Sequence, residues 1–407
     1  MDPTQHVPAF AGVDWGGHEH QLCVVDGQGH KRLELRVTHD VGGLAELVMQ
    51  LAKHGDRVPV AIERAEGLLV EHLQARGHPV FPVSPRIAAR ARERYRVAPV
   101  KDDRFDAFVL ADTLRHEHGH WRALAAPSPL LSELRALTRD RDRLLETQQG
   151  TEAQLRAILE SYHPAPARLF SSLDRQIALA FIADYPTPQV ASRVRTARMA
   201  GFLRRNGYTG RVPAQVLAER MRANLLSGSA GTVAGKSHSA KTFAHLLGVM
   251  NEALAEFDDA IASVVAEHPD AKIFASFPGV GPILTAVLLA EIGEDRGRYT
   301  TTQALLAESG LAPVTRSSGR SHSVRFRYAA NTRLREAAMW WAFNSLKTSP
   351  WAAARFRQAR DERGQRYHRA LRGLAARWMR VAWRCWQDGT TYDPTLHGGA
   401  AIAERSG

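Results

Sequence analysis

The chain has 407 residues, 44% of them hydrophobic, with 54 Lys and Arg against 42 Asp and Glu and a formal net charge of +12. This size suits two or three globular domains, and the basic excess suits a polyanionic partner, because neutralised phosphates release counterions. Two isolated cysteines exclude a disulfide framework or a cysteine zinc site, and no apolar run spans a bilayer or forms a leader, so a soluble, cytoplasmic protein with no membrane partner is expected.

Phe10–Asp14 is a short apolar run ending in an acid, Gln21–Asp26 a second run before the turn GQGH, and Arg32–Val37 an alternating third strand. Helical spacing at Leu44–Ala52 and Leu68–Gln74 flanks a fourth strand, Pro59–Ile62, which ends at Glu63. A fifth strand, Pro79–Val83, precedes a basic helical pattern from Ile87 to about His116. Three meandering strands followed by alternating helices and strands is the order of an RNase H-like (RuvC-like) α/β domain.

Leu130, Leu134, Leu137, Leu144, Leu155 and Leu159 fall at helix-like intervals among charges, which predicts a long helix or coiled-coil arm with Gly150 as a weak point. Further helical patterns from about 160 to 230 are broken by YPTP at 185–188 and by GSAG from Gly228, and Phe243–His268 reads as a returning, antiparallel helix. From about Lys272 the chain reads as a mainly α-helical C-terminal domain: FPGVGP, an apolar helix, LLAESGLAP, the basic segment TRSSGRSHSVRFR, and one helical run from Asn331 to Trp386. The expected division is 1–122, a helical arm with an insertion at 123–270, a C-terminal domain at 271–395, and a loose tail at 396–407.

Four acids stand apart in this plan. Asp14 and Glu63 end strands, and Asp103 and Asp106 sit three apart at the start of a helix, hence on one face. Strand-end acids and a helical pair can converge on one or two Mg²⁺ ions, since hard cations take carboxylate oxygens. Taken singly, Asp14 and Glu63 read as turn residues and Asp102 or Asp103 as a helix cap; Asp102, four residues before Asp106, shares the same face. His18 beside Asp14 reads as a surface histidine, and Trp340 and Trp341 as core. Neither GxxxxGK[ST] nor HExxH is present, which excludes P-loop and zincin chemistry.

GVDWG, AIERAEG, VSPR at 83–86 and KDDRFDA resemble the DEDD-type transposases of bacterial insertion sequences, the IS110 family. The family's K-x-D-x-x-D-A motif falls on Lys101, Asp103, Asp106 and Ala107, which makes Asp103 the ligand and Asp102 the cap. FPGVGPILTAVLLAEIG, GLAPVTRSSG and NTRLREAAMWWA are similar to the family's C-terminal domain, where a serine in an S-G step after G-x-x-P is the nucleophile. Here that is Ser318, with Gly310 and Pro313 upstream and Ser317 as the neighbouring alternative. Arg316, Arg320, Arg325 and Arg327 surround it in sequence, and guanidinium forks fit phosphate oxygens; the plainer reading is a solvated loop with surface arginines. Gly279 and Gly281 in FPGVGP resemble the hairpin of helix-hairpin-helix DNA binders and would offer backbone N–H groups to a phosphate; the plainer reading is a helix–helix turn. Lys101 is a further phosphate contact.

The resemblance spans both ends of the chain and is loose from about 160 to 240. It implies a DNA transposase or recombinase that uses Mg²⁺ (or Mn²⁺) and a phosphoserine intermediate. It also implies a structured non-coding bridge RNA, held by a basic carboxylate domain, and a homodimer or homotetramer whose composite sites join one protomer's carboxylates to another's serine. SHSVRFRYAAN after Ser318 holds less glycine than the family pattern, which leaves the downstream arginines unplaced. The rival readings are a Mg-dependent RuvC-like endonuclease that uses water on branched DNA, and a non-catalytic nucleic-acid scaffold.

Overall fold

The computed structural model describes residues 8–95, 102–318 and 321–397. The chain forms two compact units, Met1–Ala126 and Pro127–Gly407, so the arm and the C-terminal part share one unit. Lys101, Gly319, Arg320 and the expected tail beyond His397 lie outside the described residues. Among the described residues no helix is long and apolar enough to cross a membrane.

The first unit follows the expected element order. β1 (Phe10–Trp15), β2 (Glu19–Val25) and β3 (Lys31–Thr38) precede α1 (Val41–Ala52), β4 (Val60–Ile62), α2 (Leu68–Ala75) and β5 (Val80–Pro82). The basic helical pattern after them is two helices, α3 (Pro85–Glu93) and α4 (Asp103–Glu117). Ser84 caps α3 with Pro85 in its first turn, and Asp102 caps α4 by accepting from Arg104 N at 3.1 Å. The sheet order is β3-β2-β1-β4-β5, with β1–β2 and β2–β3 antiparallel and β1–β4 and β4–β5 parallel.

Both faces of this sheet are covered, because successive side chains alternate sides. Ala11, Val13, Leu22, Val24, Val60 and Ile62 pack under α1 and α2. Phe10, Cys23, Val25 and Ala61 pack under α3 and α4. Gly12 is what lets α4 lie directly on β1. A Cβ there would stand 2.2 Å from Ala107 O and 2.4 Å from Ala111 N, both backbone atoms that cannot step aside. Cys23 is a core residue, its thiol pushed up to about 12 by burial.

The second unit is built on two long helices, α5 (Pro129–Tyr162) and, after an inserted module, α11 (Ala230–Glu267). Gly150 does not interrupt α5, and GSAG opens α11, with Ser229 capping it through Thr232 N. Arg141 Nε donates to Asp258 Oδ1, and seven residues further along α5 and seven back along α11, Gln148 Nε2 donates to Asn251 Oδ1 at 2.7 Å. The helices are therefore antiparallel. The insertion between them comprises α6 (Ala165–Leu169), α7 (Gln176–Asp184), α8 (Pro188–Ala191), α9 (Thr196–Arg205) and α10 (Ala214–Ala223), around a core of its own with Phe181, Met199, Phe202, Leu217 and Met221.

The C-terminal part is mainly helical: α12 (Ala271–Ala275), α13 (Pro282–Ile292) and α14 (Thr302–Glu308), then the antiparallel ribbon β6 (Val314–Ser318) and β7 (Ser321–Arg325), then α15 (Thr332–Thr348), α16 (Pro350–Arg357) and α17 (Tyr367–Asp388). Three expectations change here, the last of them Trp340 as a core residue. The basic segment is a hairpin. The helical run from Asn331 to Trp386 is three helices, because Pro350 has no N–H to continue α15 and Gly364 turns the chain at φ +58°. Trp341 is fully buried and stacks on Trp378 at 5.3 Å, whereas Trp340 is exposed; adjacent helical residues point about 100° apart and cannot share one core.

Candidate carboxylate site and serine hairpin

Asp14 is paired with Gln21 on β1, and Glu63 directly follows β4. Val13 and Ile62 are register partners on these parallel strands, so Asp14 and Glu63 are the next residues at neighbouring strand ends. One step past residues that face α1 and α2, both acids turn to the opposite side, the side covered by α3 and α4. The residues after them, Trp15 and Arg64, meet in a cation–π contact at 4.1 Å that ties the two strand ends together.

Asp106 of α4 lies on that same side and is buried. Arg92 of α3 links it to the sheet: its Nε donates to Asp106 Oδ1 at 2.6 Å and its Nη2 to Glu63 Oε1 at 3.1 Å. Asp103, a turn earlier on α4, is half-exposed and lies 3.8 Å from Arg36 Nη2 on β3, whose other terminal nitrogen is 3.2 Å from Glu19 Oε2. The four predicted acids thus occupy one side of the sheet, but three of them fall into two ion-paired groups, Glu63 and Asp106 on Arg92 and Asp103 on Arg36. Among the described residues no three His, Cys, Asp or Glu side chains are grouped closely enough to hold a metal ion. In kind, an all-oxygen donor set suits a hard divalent cation. In spacing, the Arg92 guanidinium takes the cation's place between Glu63 and Asp106, and Arg36 draws Asp103 toward β3. His18 is exposed, as expected of a surface histidine.

Ser318 is exposed at the tip end of β6, paired with Ser321, and Arg316 is paired with Ser323. Arg325 pairs with Val314 at the hairpin's base, four residues and about 13 Å of strand from Ser318. Arg327 lies beyond the base, its Nε donating to Ala312 O at 3.4 Å. The structure therefore does not gather Arg325 and Arg327 around the serine. Among the described residues no acid or histidine hydrogen-bonds to Ser318.

The two glycines of FPGVGP serve different ends. Gly279 has φ +79°, and a Cβ there would stand 2.7 Å from Ser345 N, so it is the point where the α15 backbone packs closest. Gly281 is exposed at the start of α13, with open space where a side chain would be. At the other end of α13, Glu291 is buried and accepts from Asn331 Nδ2 at 2.7 Å, Arg333 Nε at 3.0 Å and Arg139 Nε at 3.4 Å. Burial acts to raise its pKa, but the Asn331 hydrogen bond and the two arginines outweigh it and leave the pKa lowered.

The basic excess is unevenly placed. Residues 1–126 hold 16 Lys and Arg against 17 Asp and Glu, so the carboxylate unit is not basic, contrary to expectation. Residues 163–229 hold 10 against 3, and residues 271–397 hold 20 against 9. Two features escaped the sequence reading. Arg92 gave no local signal beyond a basic helix. The arginines at every third position from Arg357 to Arg372 did, as a plain periodicity.

Residues 11–164 match a family described as a transposase, the DEDD domain of IS110 elements, and residues 271–357 match one described as the transposase IS116/IS110/IS902 family. The chain is 36% identical over 400 residues to the mini-circle putative transposase for IS117 of Streptomyces coelicolor, covering 94% of this chain and 95% of that one. It is 30% identical to the insertion element IS900 uncharacterized 42 kDa protein of Mycobacterium paratuberculosis, covering 97% and 99%. It is 27% identical to the insertion element IS116 uncharacterized 44.8 kDa protein of Streptomyces clavuligerus, covering 96% and 98%.

Proposed function

The chain belongs to the IS110 family of insertion-sequence transposases, and on that premise we propose that it cuts and rejoins DNA with Ser318 as nucleophile and Asp14, Glu63, Asp103 and Asp106 as its metal-binding carboxylates. The observation that carries this reading is Asp106, a buried acid on the same side of the sheet as Asp14 and Glu63 whose hydrogen-bond donor among the described residues is Arg92 Nε. The strand order β3-β2-β1-β4-β5, with its first three strands antiparallel, supports an RNase H-like form for this unit.

The carboxylates would hold Mg²⁺, with Mn²⁺ as a substitute, and the ion supplies a Lewis acid that offsets charge on the attacked phosphate. For one ion to sit between Glu63 and Asp106, Arg92 would have to give up that place, though each carboxylate has a second oxygen that Arg92 does not hold. Released, Arg92 has donors to offer a phosphate oxygen. Ser318 then forms a bond to phosphorus as the bond to the strand's 3′-oxygen breaks; the serine proton is lost and the 3′-oxygen leaves as a hydroxyl. An exposed hairpin end can reach a backbone phosphate, and Ser318 needs a group that takes its proton. Rejoining is the reverse reaction on a new strand.

The remaining parts of the proposal follow the family: a structured guide RNA, and a dimer or tetramer with composite sites. The two basic segments, 163–229 and 271–397, rather than the charge-balanced carboxylate unit, are the places for nucleic acid to be held. Lys101, Arg316, Arg320, Arg325 and the open N terminus of α13 at Gly281 are further phosphate contacts in this reading. The seven-residue step between α5 and α11 contacts supports a coiled-coil arm.

The test is trapping on a nicked suicide DNA substrate with Mg²⁺ and the element's non-coding RNA, which prevents the 3′-hydroxyl from returning. The expected product is a detergent-resistant adduct whose modified peptide contains Ser318. Ser318→Ala and Asp106→Ala should each lower cleavage by about a thousandfold or more. Cleavage by Ser318→Ala at the wild-type rate would replace the serine with water and make the protein a nuclease.

A further inference from the structure

From Arg357 to Arg372 the chain places arginine at every third position: Arg357, Arg360, Arg363, Arg366, Arg369 and Arg372. One straight helix would spread that series round its surface. Here the chain turns instead. α16 runs into a π-turn at Gln358–Glu362, Gly364 takes φ +58°, and Gln365 N donates to Ala359 O at 3.0 Å before α17 begins. Such π-turns are rare and concentrate at functional sites. The elbow opens a surface cavity of about 470 Å³ lined by Arg363, Gly364, Gln365, Arg366 and Arg369.

Arginines on both adjoining helices reinforce it. Arg377 of α17 is half-buried, and burial first, then the charges of Arg355, Arg363 and Arg380, lower its pKa. Arg355 Nε is buried without a hydrogen-bond partner. The ion pairs in this part of the chain engage Arg296, Arg298, Arg333 and Arg384. Among the described residues none of Arg355, Arg363, Arg366, Arg369, Arg377 or Arg380 pairs with a carboxylate, and Asp361 and Glu362 of the π-turn stay exposed and unpaired with them. Like charges held together without a counter-charge are costly, and a polyanion removes that cost.

We propose that the elbow between α16 and α17 is a phosphodiester-backbone site that grips duplex DNA, with Arg363, Arg366 and Arg369 as its contacts. This rests on the transposase reading, which makes DNA the polyanion to be held. Guanidinium forks match phosphate oxygens bidentately, and backbone contacts fix position without reading sequence. The grip is therefore independent of DNA sequence and strongly salt-dependent.

The experiment measures binding of the full chain to a labelled random-sequence DNA duplex by fluorescence anisotropy across a KCl series, with an RNA duplex of equal length as the second arm. The triple variant Arg363→Ala, Arg366→Ala, Arg369→Ala should bind DNA at least about tenfold more weakly near physiological salt, and its log–log salt slope should fall by about two to three. The single variant Arg366→Ala should lower the slope by about one, and it keeps the test in hand if the triple variant melts early by circular dichroism. Unchanged affinity and slope would overturn the assignment. So would a loss confined to RNA, which would give the elbow to RNA, or a wild-type chain that does not bind duplex DNA. Binding is scored without cleavage, so Ser318→Ala protein that no longer cuts DNA still reports on the elbow; the two readings fail separately.

Discussion

Asp106 in the first unit and Glu291 in the second are both buried acids on helices packed into a core, at 6% and 4% exposure, yet they are satisfied differently. Among the described residues Asp106 receives one hydrogen bond, from an Arg92 that is itself half-buried and also holds Glu63. Glu291 receives three, from Asn331, Arg333 and Arg139, which tie α13 to α15 and α5. A carboxylate has about four acceptor positions, so Glu291 is nearly saturated and Asp106 keeps capacity for a second cation. A saturated buried acid is a structural node. One with fewer donors among the described residues, beside Asp14 and Glu63 on one side of a sheet, keeps acceptor positions open, which the proposed metal-binding role would use.

The comparison can be broken by stability measurements. Glu291→Ala leaves Arg139 and Arg333 facing a buried gap and should cost about 3–5 kcal/mol. Chemical denaturation followed by tryptophan fluorescence reads this well, because six of the eight tryptophans lie beyond residue 127. Asp106→Ala should cost only about 1 kcal/mol, since Arg92 keeps Glu63, while on the proposed role of Asp106 it should abolish strand cutting. Equal losses for the two variants would end the distinction.

A smaller effect sharpens it. Arg92→Ala removes the guanidinium that, on the proposed metal-binding role, would compete with a cation, so Mn²⁺ binding to the full chain, followed by electron paramagnetic resonance, should tighten by about tenfold. Weaker Mn²⁺ binding would mean that Arg92 orders the carboxylates rather than blocking them.

Acidification gives the mildest change. Burial holds the His163 ring at about 4 instead of 6.5. A buried neutral histidine stabilises the fold fully above its unfolded pKa, so this contribution fades as pH falls from 6.5 toward 4. Glu291 acts lower. Its folded pKa lies below the ordinary 4.5, so its contribution is present above that value and is lost as pH falls through the lowered one. The denaturation midpoint of the second unit should drop below neutral pH, and Glu291→Ala should flatten the portion below pH 4.5.

Much of the first unit was legible in the sequence. Its strand runs and amphipathic helices are local patterns, and Asp102 capped α4 as its residue type and position suggest. Asp14 and Glu63 could be placed because each ends an apolar run. Less of the C-terminal part was legible. The hairpin at Val314–Arg325 is a polar, arginine-rich stretch without strand alternation, held by its own ladder. The breaks between α15, α16 and α17 were marked by Pro350 and Gly364, but a continuous helical period on either side masked them.

By itself, the sequence determined the element order, the long antiparallel helices and the family, because periodicity, caps and motifs act within a few residues. Only the tertiary structure decided which charges meet. Glu63 and Asp106 are 43 residues apart, and they reach the same Arg92 because Gly12 lets α4 settle onto β1. In the same way an elbow, not a helix, turns evenly spaced arginines toward one cavity. Such pairings depend on how whole elements cross, and no local stretch of chain encodes a crossing.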